Sequence, residues 1–359
     1  MTPAAGSGGA TPASSPLRVL VEEPLVVMAV TEGRRAPIGP LPALAAALGR
    51  RPAQFLLQLH GQFESADRSA ALVRAWRDHM AVAPHQPITV LANTMREVRV
   101  LLGAGVAAVL CNHNAFVDEE TFVLDPPARK EFDAIYVARF APEKRHELAA
   151  RVPRLALVSG HLAPAEHLQL DHIRRALPGA TWANAAAAAA VGAALAPDRA
   201  GNVARRVIAR LGHVGLGSAA VVEWMNRSSV GLCLSASEGA MRASMEYLLC
   251  GLPVVSTRNI GGRDRYRHPG HWLEVPADPA AVAAGVARLV AAPPDPRGIR
   301  AAALAKIGHD RAAFVDLVQS MVEDAGGTSD FAARLPGLLR GGILRRASVA
   351  EFARGLARP

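Results

Sequence analysis

The chain has 359 residues, half of them hydrophobic but only 4% aromatic, and a formal net charge of +9. That length suits two domains better than one, and an apolar load carried by alanine, valine and leucine points to helices packed on sheet, away from a β-sandwich. Cys111, Cys233 and Cys250 are far apart with no CxxC pair, which argues against a zinc site or a disulfide framework, and the positive residues form no run long enough for a nucleic-acid arm.

Residues 1–16 are rich in Gly, Ala, Ser and Pro and lack the basic start and apolar segment of a secretory signal. They read as a disordered leader, and the protein as cytoplasmic. No apolar stretch reaches the roughly 18–20 residues that span a bilayer. From residue 23, short β-type runs alternate with helical runs. Residues 24–30 (PLVVMAV), 54–59 (QFLLQL), 88–92 (ITVLA) and 107–111 read as strands, with helices over 41–48, 69–80 and 95–102 between them. That alternation gives right-handed parallel βαβ units and an open sheet. The two prolines in the segment 125–130 break the pattern, so this segment is read as a linker between an N-terminal domain, 17–124, and a C-terminal domain, 131–325.

The alternation then restarts. Strands are expected at 133–138, 154–159, 230–235 and 253–257. Helices are expected at 142–151, 165–176, 185–195, 203–211, 219–225, 241–249 and 280–290, the alanine-rich 185–195 being a strong helix former. Residues 326–359 read as a helical tail. Its Leu/Arg spacing leaves two readings: packing on the body, or peripheral association with the inner face of a membrane. The fold class is α/β, two parallel units in tandem, whose ligands should bind beyond the carboxyl ends of the strands.

Two segments carry most of the chemistry. In 230–264 (VGLCLSASEGAMRASMEYLLCGLPVVSTRNIGGRD) a strand leads through Glu238-Gly239 into a helix that holds Glu246 and stops at Gly251. The unpaired N–H groups of that helix start (Gly239, Ala240, Met241) suit a phosphate, Gly239 would let a ligand approach the backbone, and the two carboxylates can accept hydrogen bonds from vicinal hydroxyls. Arg242 reads equally as a phosphate contact or a solvated helix-face residue. In 135–148 (IYVARFAPEKRHEL), Arg139 and Lys144 lie across a strand-to-helix turn, where a planar fork and a point charge can converge on one diphosphate. Asp278 fits as the N-cap of the 280–290 helix.

These segments resemble the family-four retaining glycosyltransferases (glycosyl transferases group 1). The resemblance rests on Glu238-x7-Glu246, Cys250-Gly251-Leu252-Pro253-Val254-Val255, the Gly261-Gly262 turn and Arg139-x4-Lys144. It implies a GT-B fold, two Rossmann-like domains facing across a cleft, here with a shortened N-terminal domain. It implies retention of anomeric configuration and transfer of a hexosyl group from a nucleoside-diphosphate sugar. Glu238 would contact the donor sugar, Glu246 the ribose, and Arg139 and Lys144 the leaving diphosphate. Ala138 stands in place of the family's glycine, and Glu238-Gly239-Ala240-Met241-Arg242 in place of its EGFG-like stretch, so the sugar is not read from the sequence. His60, after the second strand, occupies the place of a cleft-lining histidine. His113 and Asn114 lie where the N-terminal domain closes, either as acceptor or cleft residues or in a structural role. The chain has no D-x-D triplet, so neither a metal nor any cofactor is expected beyond the nucleotide sugar itself as co-substrate. Two rivals remain: a catalytically silent nucleotide-sugar-binding protein of the same fold, and a basic nucleic-acid-associated protein, motivated by charge alone.

Overall fold

The computed structural model describes residues 14–33, 36–160, 167–196 and 198–356. Its first half runs β1 (Ser14–Val21), β2 (Val26–Val30), α1 (Leu41–Leu48), β3 (Gln54–Gln58), α2 (Ala66–Val82), β4 (Ile88–Ala92), α3 (Met95–Gly103) and β5 (Ala108–Leu110). The second half runs β6 (Phe132–Val137), β7 (Leu155–Val158), α4 (His167–Ala176), β8 (Thr181–Trp182), α5 (Ala183–Ala194), α6 (Arg199–Leu211), α7 (Ser218–Asn226), β9 (Ser228–Cys233), α8 (Arg242–Leu249), β10 (Val254–Thr257), β11 (Trp272–Val275) and α9 (Pro279–Ala291). It closes with α10 (Pro296–Asp324), α11 (Phe331–Leu339), β12 (Arg345–Ser348) and α12 (Val349–Leu356).

The two halves form two sheets. The C-terminal sheet has the order β11-β10-β9-β6-β7-β8, all parallel. The chain winds outward from β6 in one direction and from β9 in the other. Between β6 and β9 lies the switch point where such sheets open a crevice. The N-terminal sheet has the order β12-β1-β2-β3-β4-β5, with β2 to β5 parallel and in sequence order. Right-handed crossovers that all step the same way put α1, α2 and α3 on one face. There Leu44, Leu72 and Leu101 pack against Val27, Leu57 and Val90.

Because strand side chains alternate, the opposite face presents Val26, Met28, Leu56 and Leu91. None of α1 to α3 covers it. Phe314, Val318 and Val322 of α10 and Phe331, Leu335 and Leu338 of α11 do so instead. The sequence placed the domain boundary at 325 and a separate helical tail after it. The structure moves the crossing back into the middle of α10, and the tail holds a strand as well as helices. β12 pairs antiparallel with β1, from Ser14↔Ser348 to Leu17↔Arg345. Ser14–Pro16 therefore belong to a strand and not to the leader; residues 1–13 lie outside the described residues. β1 also pairs antiparallel with its neighbour β2, whereas β12 could not be recognised from sequence, since its partner lies at the far end of the chain. No helix among the described residues is long and apolar enough to cross a membrane.

The expected helix 142–151 is broken. Two 3₁₀ turns, Pro142–Lys144 and His146–Ala149, flank Arg145, whose φ of 50° is left-handed. The guanidinium of Arg145 donates to Leu234 O and to Thr257 Oγ1 at 2.7 Å, joining this loop to the ends of β9 and β10. Of the expected helix 165–176, the described part starts at His167.

Phe314 is central to the covered face: it meets Phe116 edge-on at 4.8 Å and Phe331 at 5.7 Å. Truncation to Phe314→Ala should cost about 3–5 kcal/mol of folding stability, as for other buried aromatics. Urea unfolding followed by tryptophan fluorescence checks this; an unchanged midpoint would show that α10 is not what covers the sheet.

Candidate functional site

The carboxyl ends of the two sheets face each other, and glycines let them touch. A Cβ on Gly239 would lie 2.6 Å from Gly61 O and 2.8 Å from Gly61 N. One on Gly262 would lie 2.6 Å from Asn93 Cβ. Gly239 was expected to admit a ligand to the backbone; in this structure its open side faces Gly61 of the other domain. Hydrogen bonds fasten the same seam. Asn112 Nδ2 donates to Gly262 O at 2.9 Å and Asn114 Nδ2 to Ala240 O at 2.7 Å and Ser244 Oγ at 3.2 Å. Asn114 is fully buried and committed to this bridge, so of its two readings the structural one holds.

Beside the seam lies a cavity of about 660 Å³, lined by His60, Gly61, Gln62, Arg68 and His113 from the N-terminal side. Arg139, Glu143, Lys144, Glu238, Gly239, Ala240, Met241, Arg242 and Glu246 line it from the C-terminal side. Every candidate residue except Asn114 therefore meets around one opening, at the β6/β9 switch point. Three loops supply them. The loop after β6 brings Arg139 and Lys144. The loop after β9 brings Glu238 and Gly239. The loop after β3 brings His60, whose N–H donates to Thr31 Oγ1 at 2.8 Å. Glu97, buried at the start of α3, accepts from Phe63 N and Asn93 N, both at 2.8 Å, and so ties the His60 loop to the β4 end.

Helix α8 begins at Arg242, after Met241, whose φ of 49° is left-handed, and no side chain caps it. Arg242 and Ala243 of its first turn line the cavity, where a helix N-terminus favours an anion. The helix is held firmly: Tyr247 lies against Gly231, where a Cβ would come within 2.4 Å of the ring, and its hydroxyl accepts from Val137 N at 2.7 Å.

Charges line the cavity in pairs. Lys144 Nζ and Glu238 Oε1 form an ion pair with side chains only 11% and 13% exposed. Arg242 lies 3.6 Å from Glu246 along α8, and Arg139 3.3 Å from Glu143. Burial raises the Glu246 pKa, with Arg242 pulling it back. Burial lowers the pKa of His60, helped by Arg139 and Lys144 and opposed by Glu238. Burial also lowers His113 to about 3, with Arg242 and His60 adding to it. Both histidines are therefore neutral at pH 7 and can donate or accept, but they bring no charge to the site. Among the described residues, no group of three or more His, Cys, Asp or Glu is placed to hold a metal ion.

Sequence reasoning missed the residues that shape the loops. Arg263 is fully buried and donates to Cys233 O at 2.9 Å and Ser235 O at 2.8 Å, stapling the end of β9 from the turn after β10. The Gly261-Gly262 turn was legible, but not that the next arginine points inward. Asn93 and Asn112 stand in unremarkable polar loops, yet Asn93 ties the ends of β3 and β4 to the His113 turn and Asn112 reaches on to Gly262 of the facing domain.

Residues 132–292 match the family model of glycosyl transferases group 1. The crystal structure of HepE from Anabaena in complex with UDP and glucose is similar, at a TM-score of 0.56 and 15% identity over 82% of this chain and 77% of that one. TarM of S. aureus is similar at a TM-score of 0.53 and 11% identity, over 81% of this chain and 55% of that one. Likeness at such identities concerns the fold, which is GT-B. No curated protein matches the sequence.

His146, packed on Tyr136 and Phe140, is held by burial at a pKa of about 3, with Lys144 adding to the effect. An unfolded histidine takes its proton near pH 6.5. Between those values the unfolded chain binds more protons than the folded one, so this contribution is complete above about pH 6.5 and declines as the pH falls towards 3. The loss of urea midpoint between pH 7 and pH 5 should therefore be smaller in His146→Gln than in the wild type; equal losses would refute the neutral buried imidazole.

Proposed function

We propose that this chain, whose residues 132–292 form a group 1 glycosyltransferase domain within a GT-B fold, moves a hexosyl group from a nucleoside-diphosphate sugar to an acceptor held by its N-terminal domain. The observation that carries this reading is the convergence of Arg139, Lys144, Glu238, Glu246 and the uncapped start of α8 on one cavity. Those groups match, part by part, a ligand with a diphosphate, a ribose and a sugar. HepE is bound to UDP and glucose in its structure, which makes uridine the first base to test.

In this reading the diphosphate lies at the start of α8. Its charge draws Lys144 away from Glu238, and the carboxylate so released turns to the hydroxyls of the donor sugar. As the acceptor's hydroxyl oxygen bonds to the anomeric carbon, the bond from that carbon to the diphosphate breaks, its electron pair leaves on the phosphate oxygen, and that oxygen takes up the hydroxyl proton. Lys144 and Arg139 stabilise that charge more as it grows than they do in the ground state. Glu246, buried beneath the mouth, accepts from the ribose hydroxyls, and neutral His60 faces the sugar from the other wall. Acceptor and donor meet across the cleft, so positioning supplies much of the acceleration. Retention of configuration, independence of metal and a site of action in the cytoplasm or at the inner membrane face complete the proposal. Inverted stereochemistry in the product would overturn the first of these.

A thermal-shift series with UDP, GDP, ADP and their sugars tests the donor site, because a ligand of the folded state raises the midpoint. One nucleotide should give a shift that Glu246→Ala abolishes; no shift with any, on folded protein, would remove the donor reading. With the active donor, Lys144→Ala should lower kcat by roughly 10²–10³ and weaken donor binding as well, because the ammonium already pairs with the diphosphate before the bond breaks and stabilises it further as it leaves. Donor binding without turnover in the wild type would favour the catalytically silent reading.

A further inference from the structure

A second cavity of about 650 Å³ adjoins the first on the N-terminal domain. Gly61, Gln62 and Arg68 line both, so the two adjoin beside the His60 loop. The floor of the second is the face of α2 made by Asp67, Ala70, Ala71 and Arg74, which helical spacing places side by side, and Phe63 forms a wall. Small side chains at the centre leave the hollow; the charged ones stand at its rim.

Two features suggest what this hollow takes. Its charged lining is Arg68, Arg74 and Asp67, one net positive charge among the described residues. The guanidinium groups of Arg68 and Arg74 make no hydrogen bond or ion pair among the described residues, whereas most arginines near the first cavity are paired. Planar forks left unpaired beside a hollow match an oxyanion, and above all a phosphate, bidentately. Gln62, at the junction, has its Oε1 buried without a partner. A buried acceptor of that kind is costly, and a turn of its amide towards a ligand hydroxyl relieves the cost.

We propose that this second cavity is the acceptor site and that the acceptor is a phosphorylated hydroxy compound of sugar or polyol type. Its phosphate sits between Arg68 and Arg74, its carbon skeleton lies on Ala70, Ala71 and Phe63, and its hydroxyl reaches past Gln62 towards the donor. The inference rests on the glycosyltransferase reading above and adds the acceptor class to it. Arg68, which lines both cavities, stands where the two ligands meet. Arg74 lines the second cavity alone and touches only the acceptor.

Calorimetric titration of the UDP-loaded protein with glucose 6-phosphate, fructose 6-phosphate and glycerol 3-phosphate, each beside its neutral parent, tests this. At least one phosphate should bind roughly tenfold or more tightly than its parent, the range of a charge-assisted hydrogen bond. Arg74→Ala, an exposed helix-face change, should weaken that phosphate by a similar factor and keep the UDP-induced midpoint shift. Arg74→Lys should restore part of the affinity. Three outcomes overturn the proposal while leaving the donor reading intact: a normal UDP shift with no phosphate binding, neutral parents bound equally well, or phosphate binding indifferent to Arg74→Ala. Absence of any nucleotide shift would overturn both together.

Discussion

The close approach of the two sheets at their carboxyl ends governs the rest of the molecule. Gly61 against Gly239 and Gly262 against Asn93 bring backbone to backbone, where a single methyl group would force the domains apart. Asn112 and Asn114 then hydrogen-bond across the gap to Gly262 and Ala240. Their amide groups are buried and need partners, and the other domain supplies part of them: Gly262 O for Asn112 and Ala240 O and Ser244 Oγ for Asn114. The cavity takes its shape from this seam: its walls are loops that each domain positions separately, and its width is set where the glycines touch.

The crossing of α10 serves the same arrangement. A sheet whose crossovers all step one way has helices on one face only, and its other face needs cover from elsewhere. Phe314, Val318 and Val322 provide it from a helix whose first half packs on the C-terminal domain through Ile299, Ala303 and Ile307. The same helix reaches the connection between the domains: Arg311 pairs with Glu119 at 2.6 Å and donates to Ala115 O at 2.7 Å, and Arg300 donates to Glu119 O at 2.8 Å. One helix thus belongs to both cores and to the segment joining them, and it covers the face of the N-terminal sheet that α1 to α3 leave open.

Within the cavity, charge is organised by what burial permits. Lys144 and Glu238 are both largely buried and offset each other, since leaving either unpaired would cost more than their attraction returns. A polyanionic ligand changes that balance by offering Lys144 a stronger partner and freeing a carboxylate beside it. The pKa values of His60 and His113 are both lowered, which favours their neutral forms, so the positive field at the site comes mainly from arginine and lysine.

The sequence by itself determined the alternation of strands and helices, and with it two parallel sheets and the position of chemistry at the strand ends. It also marked Arg139, Lys144, Glu238 and Glu246, because βαβ periodicity and the loops that follow strands are local properties. The tertiary structure alone decided which residues join the domains and where each domain ends. Asn114 looked like a cleft residue and proved to be a bridge. Gly239 lines the cavity as its place after β9 implied, but the side where a Cβ would stand is occupied by Gly61 of the other domain. Arg145 interrupted a helix that local propensity favoured, and from its left-handed turn its guanidinium binds the ends of β9 and β10. β1 and β12 found each other from opposite ends of the chain. Each of these depends on a partner more than 80 residues away, and no window of sequence contains both halves of such a contact.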